Sequence, residues 1–241
     1  MTNPYWQGKY STLYHGSCFD IMPELDQEIG MICIDPPYGK NWQSNYRPEK
    51  FDKIIDDEGE FDLTRLGTLC AKALKNFRHI YIFGFRPSEI PDSFQIGGSC
   101  ELIWDKGKTG LGDLSSAWGP QHEIITFGVH VSGSRDRSVG RGNLSAKLRK
   151  GSILSFPRKD SLGVRNHPTE KPVPLIRTLI ESSTTLGDIV LDPCSGAGST
   201  MVAASIEGRL SIGIEREEKH CETAARRMEK AERVIEAIKS I

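Results

Sequence analysis

A carboxylate, two prolines and an aromatic ring follow directly on an apolar run, Met31-Ile-Cys-Ile34 leading into Asp35-Pro36-Pro37-Tyr38. A short apolar run closed by such a turn reads as a strand buried on both faces. In open α/β sheets ligands bind beyond the carboxyl ends of the strands, which is where these four residues fall. An Asp-Pro turn also ends many ordinary strands, but a chemical reading is more specific. The exocyclic amine of a nucleobase is a poor nucleophile, because its lone pair is delocalised into the ring. Asp35 and a backbone carbonyl beside Pro36 can accept both amine hydrogens and draw the nitrogen toward tetrahedral geometry. The prolines bring no competing N–H and fix the carbonyl direction. Tyr38 can stack on a base taken out of its duplex.

A second constellation lies in Ile189-Val-Leu-Asp192-Pro-Cys-Ser-Gly196-Ala-Gly198-Ser-Thr200, followed by a helical stretch and by Leu210-Ser-Ile-Gly-Ile-Glu215. This is strand, glycine turn, helix, strand, acid. The glycines let the backbone come close to a ligand, and the acid at the next strand tip can accept two ribose hydroxyls. The third glycine of a dinucleotide loop is missing, since Met201 follows Thr200. The loop therefore suits a nucleoside without phosphates better than a pyrophosphate, and an NAD enzyme is the weakest alternative.

The elements that must carry these residues alternate between short apolar runs and helical spacing. Met31–Ile34, His79–Phe83, Glu101–Trp104, Glu123–Phe127, Ile189–Leu191 and Leu210–Ile214 read as strands. Leu63–Phe77, Val173–Ser183, Thr200–Glu207 and Glu217–Ile241 read as helices, the last with a stripe at Cys221, Ala225, Met228, Ala231, Ile235 and Ile238. Strands alternating with helices predict a mostly parallel twisted α/β sheet flanked by helices. At 241 residues the chain is expected to form one domain, 1–241.

Composition excludes several classes. With 37% hydrophobic residues the chain can bury a real core. It has no run near the roughly 18 apolar residues that a membrane span needs, and Met1–Tyr10 has no signal-peptide stretch. Six scattered cysteines without a CxxC pair predict a reducing cytoplasm and neither a zinc site nor a disulfide scaffold. The net charge of −1 conceals an uneven distribution. Residues 129–165 hold nine Lys/Arg against Asp136 and Asp160, a balance of +7 that leaves −8 for the remainder. This Gly/Ser-rich stretch reads as a loop-like basic insertion, and long loops inside compact domains are usually functional or disordered.

Asp35-Pro-Pro-Tyr38, His167-Pro-Thr-Glu-Lys-Pro172 and Leu191-Asp-Pro-Cys-Ser-Gly-Ala-Gly-Ser-Thr200 resemble, in that order, motifs of the beta group of amino (adenine-N6/cytosine-N4) DNA methyltransferases. Weaker matches at Tyr14–Phe19, Glu101–Lys106 and Glu123–Gly128 extend the resemblance over nearly the whole chain. It implies a Rossmann-like S-adenosylmethionine-dependent methyltransferase fold with circularly permuted motif order. It also implies methyl transfer to the N6 amine of a flipped adenine, since Asp-Pro-Pro-Tyr usually accompanies adenine and Ser-Pro-Pro-Tyr cytosine N4. Cytosine-N4 transfer, an RNA substrate and a catalytically silent nucleic-acid-binding subunit are the alternatives.

Carried over residue by residue, the catalytic set is Asp35, Pro36, Pro37 and Tyr38. The cofactor set is Ser17, Cys18, Asp35, Thr169, Lys171, Asp192, Cys194, Ser195, Gly196, Gly198, Ser199, Thr200 and Glu215. Ser17 and Cys18 are assigned to the cofactor's adenine, although relatives often have Gly-Asp where this chain has Gly16-Ser17. Thr169 and Lys171 are assigned to its methionine end, with Thr169 also expected to cap the helix that follows. No metal is expected. The partner implied is double-stranded DNA, contacted by Arg135, Arg137, Arg141, Lys147, Arg149 and Lys150, with Trp42 or Tyr46 stacking on the flipped base. A homodimer and a partner restriction endonuclease stay open.

Overall fold

The structure is a computed structural model that describes residues 2–37, 61–108, 117–132, 150–157 and 170–240. Tyr38, Trp42, Tyr46, Thr169 and the basic residues from Arg135 to Arg149 lie outside the described residues.

The central strand is β3 (Ile29–Ile34), in which every residue is buried. It pairs in parallel with β4 (Leu74–Phe83) on one side and with β8 (Ile189–Asp192) on the other. Beyond β8 come β9 (Leu210–Glu215), then β2 (Ser11–His15) and β1 (Trp6–Gln7). Beyond β4 come β6 (His122–His130), β5 (Ile96–Asp105) and β7 (Ile153–Ser155). Within this nine-stranded order, only the β1–β2, β4–β6 and β5–β6 pairings are antiparallel.

Residues of β3 alternate between two helical layers. Ile32 and Ile34 pack with Leu66 and Cys70 of α2 (Leu63–Ala73) and with Cys18 and Ile21 of α1 (Cys18–Ile21). Met31 and Cys33 pack with Leu175, Ile176, Leu179 and Ile180 of α3 (Val173–Ser183) and with Ala203 and Ala204 of α4 (Ser199–Ile206). Both faces are covered, which is why β3 carries a continuous apolar run rather than an alternating one. A last helix, α5 (Glu218–Lys239), packs Cys221, Ala224 and Met228 against Leu13, Met201 and Val202.

Two connections diverge at the centre. From β3 the chain passes through α2 to β4, while from β8 it passes through α4 to β9, toward the opposite end of the sheet. Neighbouring strands whose connections part in this way open a crevice at their carboxyl ends. The tips of β3 and β8, carrying Asp35 and Asp192, flank it.

The expected elements needed four corrections. The α2 helix stops at Ala73 rather than Phe77, because Leu74 pairs with Ile29 and the next residues enter β4. That entry is irregular, with a register shift after Ile29 and a left-handed φ of 60° at Phe77. Strand pairing here overrides a helical apolar spacing. The α5 stripe is rotated toward Ala224, and Ile238 is exposed in its last turn. The basic stretch 129–165 is not wholly a loop, since Val129 and His130 complete β6 and Ile153–Ser155 pair with Ile103–Asp105 as an edge strand. The α3 helix takes Pro172 as its cap residue, with Pro174 in the first turn. Thr169 stands three positions upstream and therefore cannot be that cap.

Candidate active site

Asp35 leaves the carboxyl end of β3 followed by buried Pro36 and half-buried Pro37. Its Oδ2 lies 2.8 Å from Nζ of Lys171, which precedes α3 and is only 8% exposed. The same ammonium lies 2.8 Å from Oε1 of Glu123, at ion-pair distance but off the hydrogen-bond axis. Glu123 Oε2 in turn meets Lys106 Nζ at 2.9 Å. Four charges thus alternate in sign from the crevice into β6 and β5. Aromatic faces wall them in: Lys171 stands 5.0 Å from the Phe83 ring centre and 5.9 Å from that of Trp104, and Lys106 stands 4.8 Å from Trp104. The indole N–H of Trp104 donates to the Phe156 carbonyl at 2.7 Å, which locks the wall in place.

Electrostatics follow from this enclosure. Burial alone would raise the Glu123 carboxyl, but Lys171 and Lys106 outweigh it and hold it down at about 2. Burial likewise disfavours the Lys171 ammonium, and Asp35 and Glu123 overcome that penalty so that it stays charged.

The other side of the crevice is built by the turn after β8. Gly196 and Gly198 take left-handed φ values of 49° and 75°, which glycine adopts without strain. The Glu215 carboxylate at the tip of β9 accepts from Gly196 N–H at 2.7 Å and from Glu217 N–H at 2.8 Å. Ser195 N–H donates to the Ile214 carbonyl at 2.9 Å, while Ser195 Oγ is buried without a partner among the described residues. Gly16 N–H donates to the Glu215 carbonyl at 2.9 Å and brings Ser17 and Cys18 to this strand tip. Ser17 Oγ caps α1 by accepting from Phe19 N–H at 3.2 Å. Cys18 is buried with its thiol against that of Cys194, in keeping with a packing role.

Asp192 is buried, and desolvation pushes it up to about 7 against the pull of the Thr200 hydroxyl and the Cys194 N–H. Asp35 and Glu215 push it further in the same direction. Its folded value lies above its unfolded one, so the protonated form is the stabilising one. That contribution is complete below about pH 4 and is lost as pH rises through 7. Asp192→Asn is therefore expected to raise stability at pH 8, by on the order of 1–4 kcal/mol, and by roughly half as much or less at pH 5. Thermal melts of both proteins at the two pH values test this, and equal differences at both would refute it.

A family model for DNA methylases of the N6/N4 type matches residues 29–226, more than half of the chain. The chain belongs to this DNA methylase family. The Type II methyltransferase M2.DpnII of Streptococcus pneumoniae is 26% identical over 95% of this chain and 93% of its own. The DNA adenine methyltransferase YhdJ of Escherichia coli K12 is 27% identical over 91% of this chain and 83% of its own. Among solved structures, the M1.HpyAVI–SAM complex superposes with a TM-score of 0.68 at 22% identity, covering 90% of this chain and 98% of that one. The cytosine-N4-specific PvuII DNA methyltransferase superposes with a TM-score of 0.67 at 13% identity, covering 95% and 93%. The shared fold is that of the methyltransferases, with an α/β sheet, mostly parallel and flanked by helices.

Within this methylase the structure brings Asp35, Asp192, Glu215 and the glycine turn to one sheet edge. Ser199 and Thr200 are buried under the turn rather than lining its surface. Thr200 holds Asp192, and Ser199 Oγ lies 3.4 Å from the Arg227 guanidinium. Arg227 also donates to the Ala197 carbonyl and pairs with Glu170 at 2.8 Å, tying α5, the turn and the segment ahead of α3 together. Lys150 is placed elsewhere. It precedes β7 at the sheet edge opposite Asp35, and its ammonium lies 3.2 Å from Glu181 on α3. Lys171, expected to meet a cofactor carboxylate, here has two carboxylates of the methylase itself.

Sequence reasoning assigned no role to Glu123, Lys106, Glu170 or Arg227. A signal was present for the first two. Each is a charged residue at the end of an apolar strand, and both fall inside the weaker family matches.

Proposed function

We propose that this methylase transfers the methyl group of S-adenosylmethionine to the exocyclic N6 amine of an adenine flipped out of double-stranded DNA. The observation that carries the reading is the juxtaposition of Asp35-Pro36-Pro37 on β3 with the glycine turn after β8 across one crevice. S-adenosylmethionine, when bound, supplies a methyl on a sulfonium, an electrophile whose leaving group is a neutral thioether.

The residues present fit such a donor. The Glu215 carboxylate is held by the backbone N–H groups of Gly196, Arg216 and Glu217, and a carboxylate has about four acceptor positions, so a ribose hydroxyl can still be received at the tip of β9. Ser195 Oγ offers a buried polar atom lacking a partner among the described residues. The missing third glycine also finds a reason. Met201 fills that place on α4, and the close helix–strand approach is relieved from the other side by Gly213 of β9. The turn keeps its bend without becoming a pyrophosphate cradle.

Asp35 and the main chain beside Pro36 accept the amine hydrogens, and Lys171 holds the carboxylate in its orientation. Positioning and polarisation of this kind supply the rate. The basic residues Arg135, Arg137, Arg141, Lys147 and Arg149 contact the phosphate backbone, and Tyr38 stacks on the base with Trp42 or Tyr46. Lys150, also expected at the DNA, precedes β7 and pairs with Glu181. Ser17 and Cys18 are assigned to the cofactor's adenine. A cytoplasmic location completes the reading, with a homodimer and a companion restriction endonuclease left open. No helix among the described residues is long and apolar enough to cross a membrane.

Cytosine N4 is the second reading, because a cytosine-N4 enzyme shares the fold at a similar TM-score. Mass spectrometry of nucleosides from DNA incubated with the protein and S-adenosylmethionine separates the two. N6-methyladenosine as the deoxynucleoside is expected, and N4-methyldeoxycytidine as the only product would overturn the adenine assignment.

A further inference from the structure

Lys171 and Glu123 form a buried array whose connection to Asp35 goes beyond stabilising the fold. Replacing buried ion pairs by apolar groups of similar volume is often neutral or stabilising, so such a pair is weak evidence for a purely structural role. Here the alternation Asp35–Lys171–Glu123–Lys106 ends on the residue that must accept hydrogens from the target amine. The ammonium that touches Asp35 is the same one that touches Glu123, each at 2.8 Å.

We propose that Glu123 is a positioning residue for methyl transfer, which by taking a share of the Lys171 ammonium holds that cation, and through it the Asp35 carboxylate, toward the target amine. The inference rests on the functional reading above.

The physical argument is one of competition for a single cation. With both carboxylates present the ammonium is shared, and Asp35 keeps electron density for the amine hydrogens. Without the charge on Glu123, the cation collapses onto Asp35 and competes with the amine for the same oxygen. Lys106 would then lose its Glu123 partner, and the four groups together would carry an excess of one positive charge. Without Lys171, Asp35 and Glu123 face each other with no cation between them, and Asp35 loses its orientation. Phe83 and Trp104 prevent the lysine from swinging out of this choice.

The charged and titratable groups around Asp35 come from four neighbouring elements besides its own strand. They are Lys171 ahead of α3, Asp192 at the tip of β8, and, through Lys171, Glu123 of β6 and Lys106 just after β5; Cys33 lies on β3 itself. Only Glu123 and Lys171 are changed in the test.

Single-turnover methyl transfer is measured against pH at saturating DNA and donor for the wild type, Glu123→Gln, Glu123→Asp and Lys171→Met. Glu123→Gln is expected to lower the rate about tenfold or more, in the manner of a lost transition-state contact, with both KM values within about twofold. Removing a negative neighbour favours an ionised carboxylate and removing a positive one disfavours it, so the acid limb moves down in Glu123→Gln and up in Lys171→Met. Glu123→Asp, which keeps the charge, returns the limb toward that of the wild type. A purely structural role would not move the limb in opposite directions.

A second readout needs no activity. The Asp35 carboxyl carbon, followed by NMR in labelled protein without ligands, is expected to titrate about one unit lower in Glu123→Gln. An unchanged midpoint and an unchanged rate overturn the proposal. If the wild type methylates no DNA, the functional reading falls, while the NMR midpoint still decides whether Glu123 governs Asp35.

Discussion

Asp35→Asn is expected to slow methyl transfer by about a hundred- to a thousandfold while donor affinity stays within about twofold. The amide matches the carboxylate in shape, so neither β3 nor the proline turn is disturbed. Its chemistry is different. An ionised carboxylate only accepts hydrogen bonds, whereas an amide presents an NH2 on one side and a weaker acceptor on the other. The target amine needs an acceptor where its hydrogens are released, and Lys171 needs an anion at the same place. The amide serves both poorly. The loss corresponds to about 3–4 kcal/mol of transition-state stabilisation, typical of one preorganised contact in a water-poor site. Donor affinity is spared because the glycine turn and Glu215 belong to the neighbouring strands β8 and β9. Single-turnover transfer and donor titration calorimetry measure the two quantities separately. Near-normal turnover would remove Asp35 from the reaction.

Gly213→Val is expected to cost about 1–3 kcal/mol of stability and to weaken donor binding along with it. A Cβ at position 213 would stand 2.2 Å from Met201 Sδ and 3.1 Å from Ser195 Cβ. Met201 is fully buried between β9 and α5, so it has little room to yield. Met201 must change its rotamer within the packed core or α4 must shift, and a shift of α4 carries Ser199 and Thr200 with it. For a domain of this size such a loss lowers the melting temperature by roughly 3–10 °C. Met201→Ala in the same chain supplies the missing volume and is expected to restore part of both losses, as coupled neighbours do in a double-mutant cycle. Additive losses in the double variant would show that the two residues do not compete for that space.

Much of the site was legible because each part announces itself within a few residues. Met31–Tyr38 carries a buried strand and its chemical tip in one run, and Ile189–Thr200 carries strand, turn and helix start in another. The α3 limits, Val173–Ser183, are those expected from Pro172 and Pro174. Ser11–His15 carries only Leu13 and Tyr14 as apolar residues, too short a run to mark a strand without its partner β9. Ile153–Ser155 escaped inside a basic stretch, where three residues become a strand only by pairing with β5. Leu74–Phe77 was misread because helical spacing and strand pairing competed for it, and the pairing with β3 prevailed.

From sequence alone came the candidate reacting groups, Asp35-Pro36-Pro37-Tyr38, and the class of ligand the glycine turn suits. Both follow from residue types adjacent along the chain, where local geometry suffices. Only the tertiary structure decided that the strand carrying Asp35 and the strand carrying Asp192 are neighbours, with Met31 paired to Val190 far along the chain, because parallel pairing is set by the whole sheet. It alone revealed that Lys171 is shared between Asp35 and Glu123, three residues from distant parts of the chain. A buried charge must find its counterpart wherever packing brings one, and sequence order carries no record of that choice.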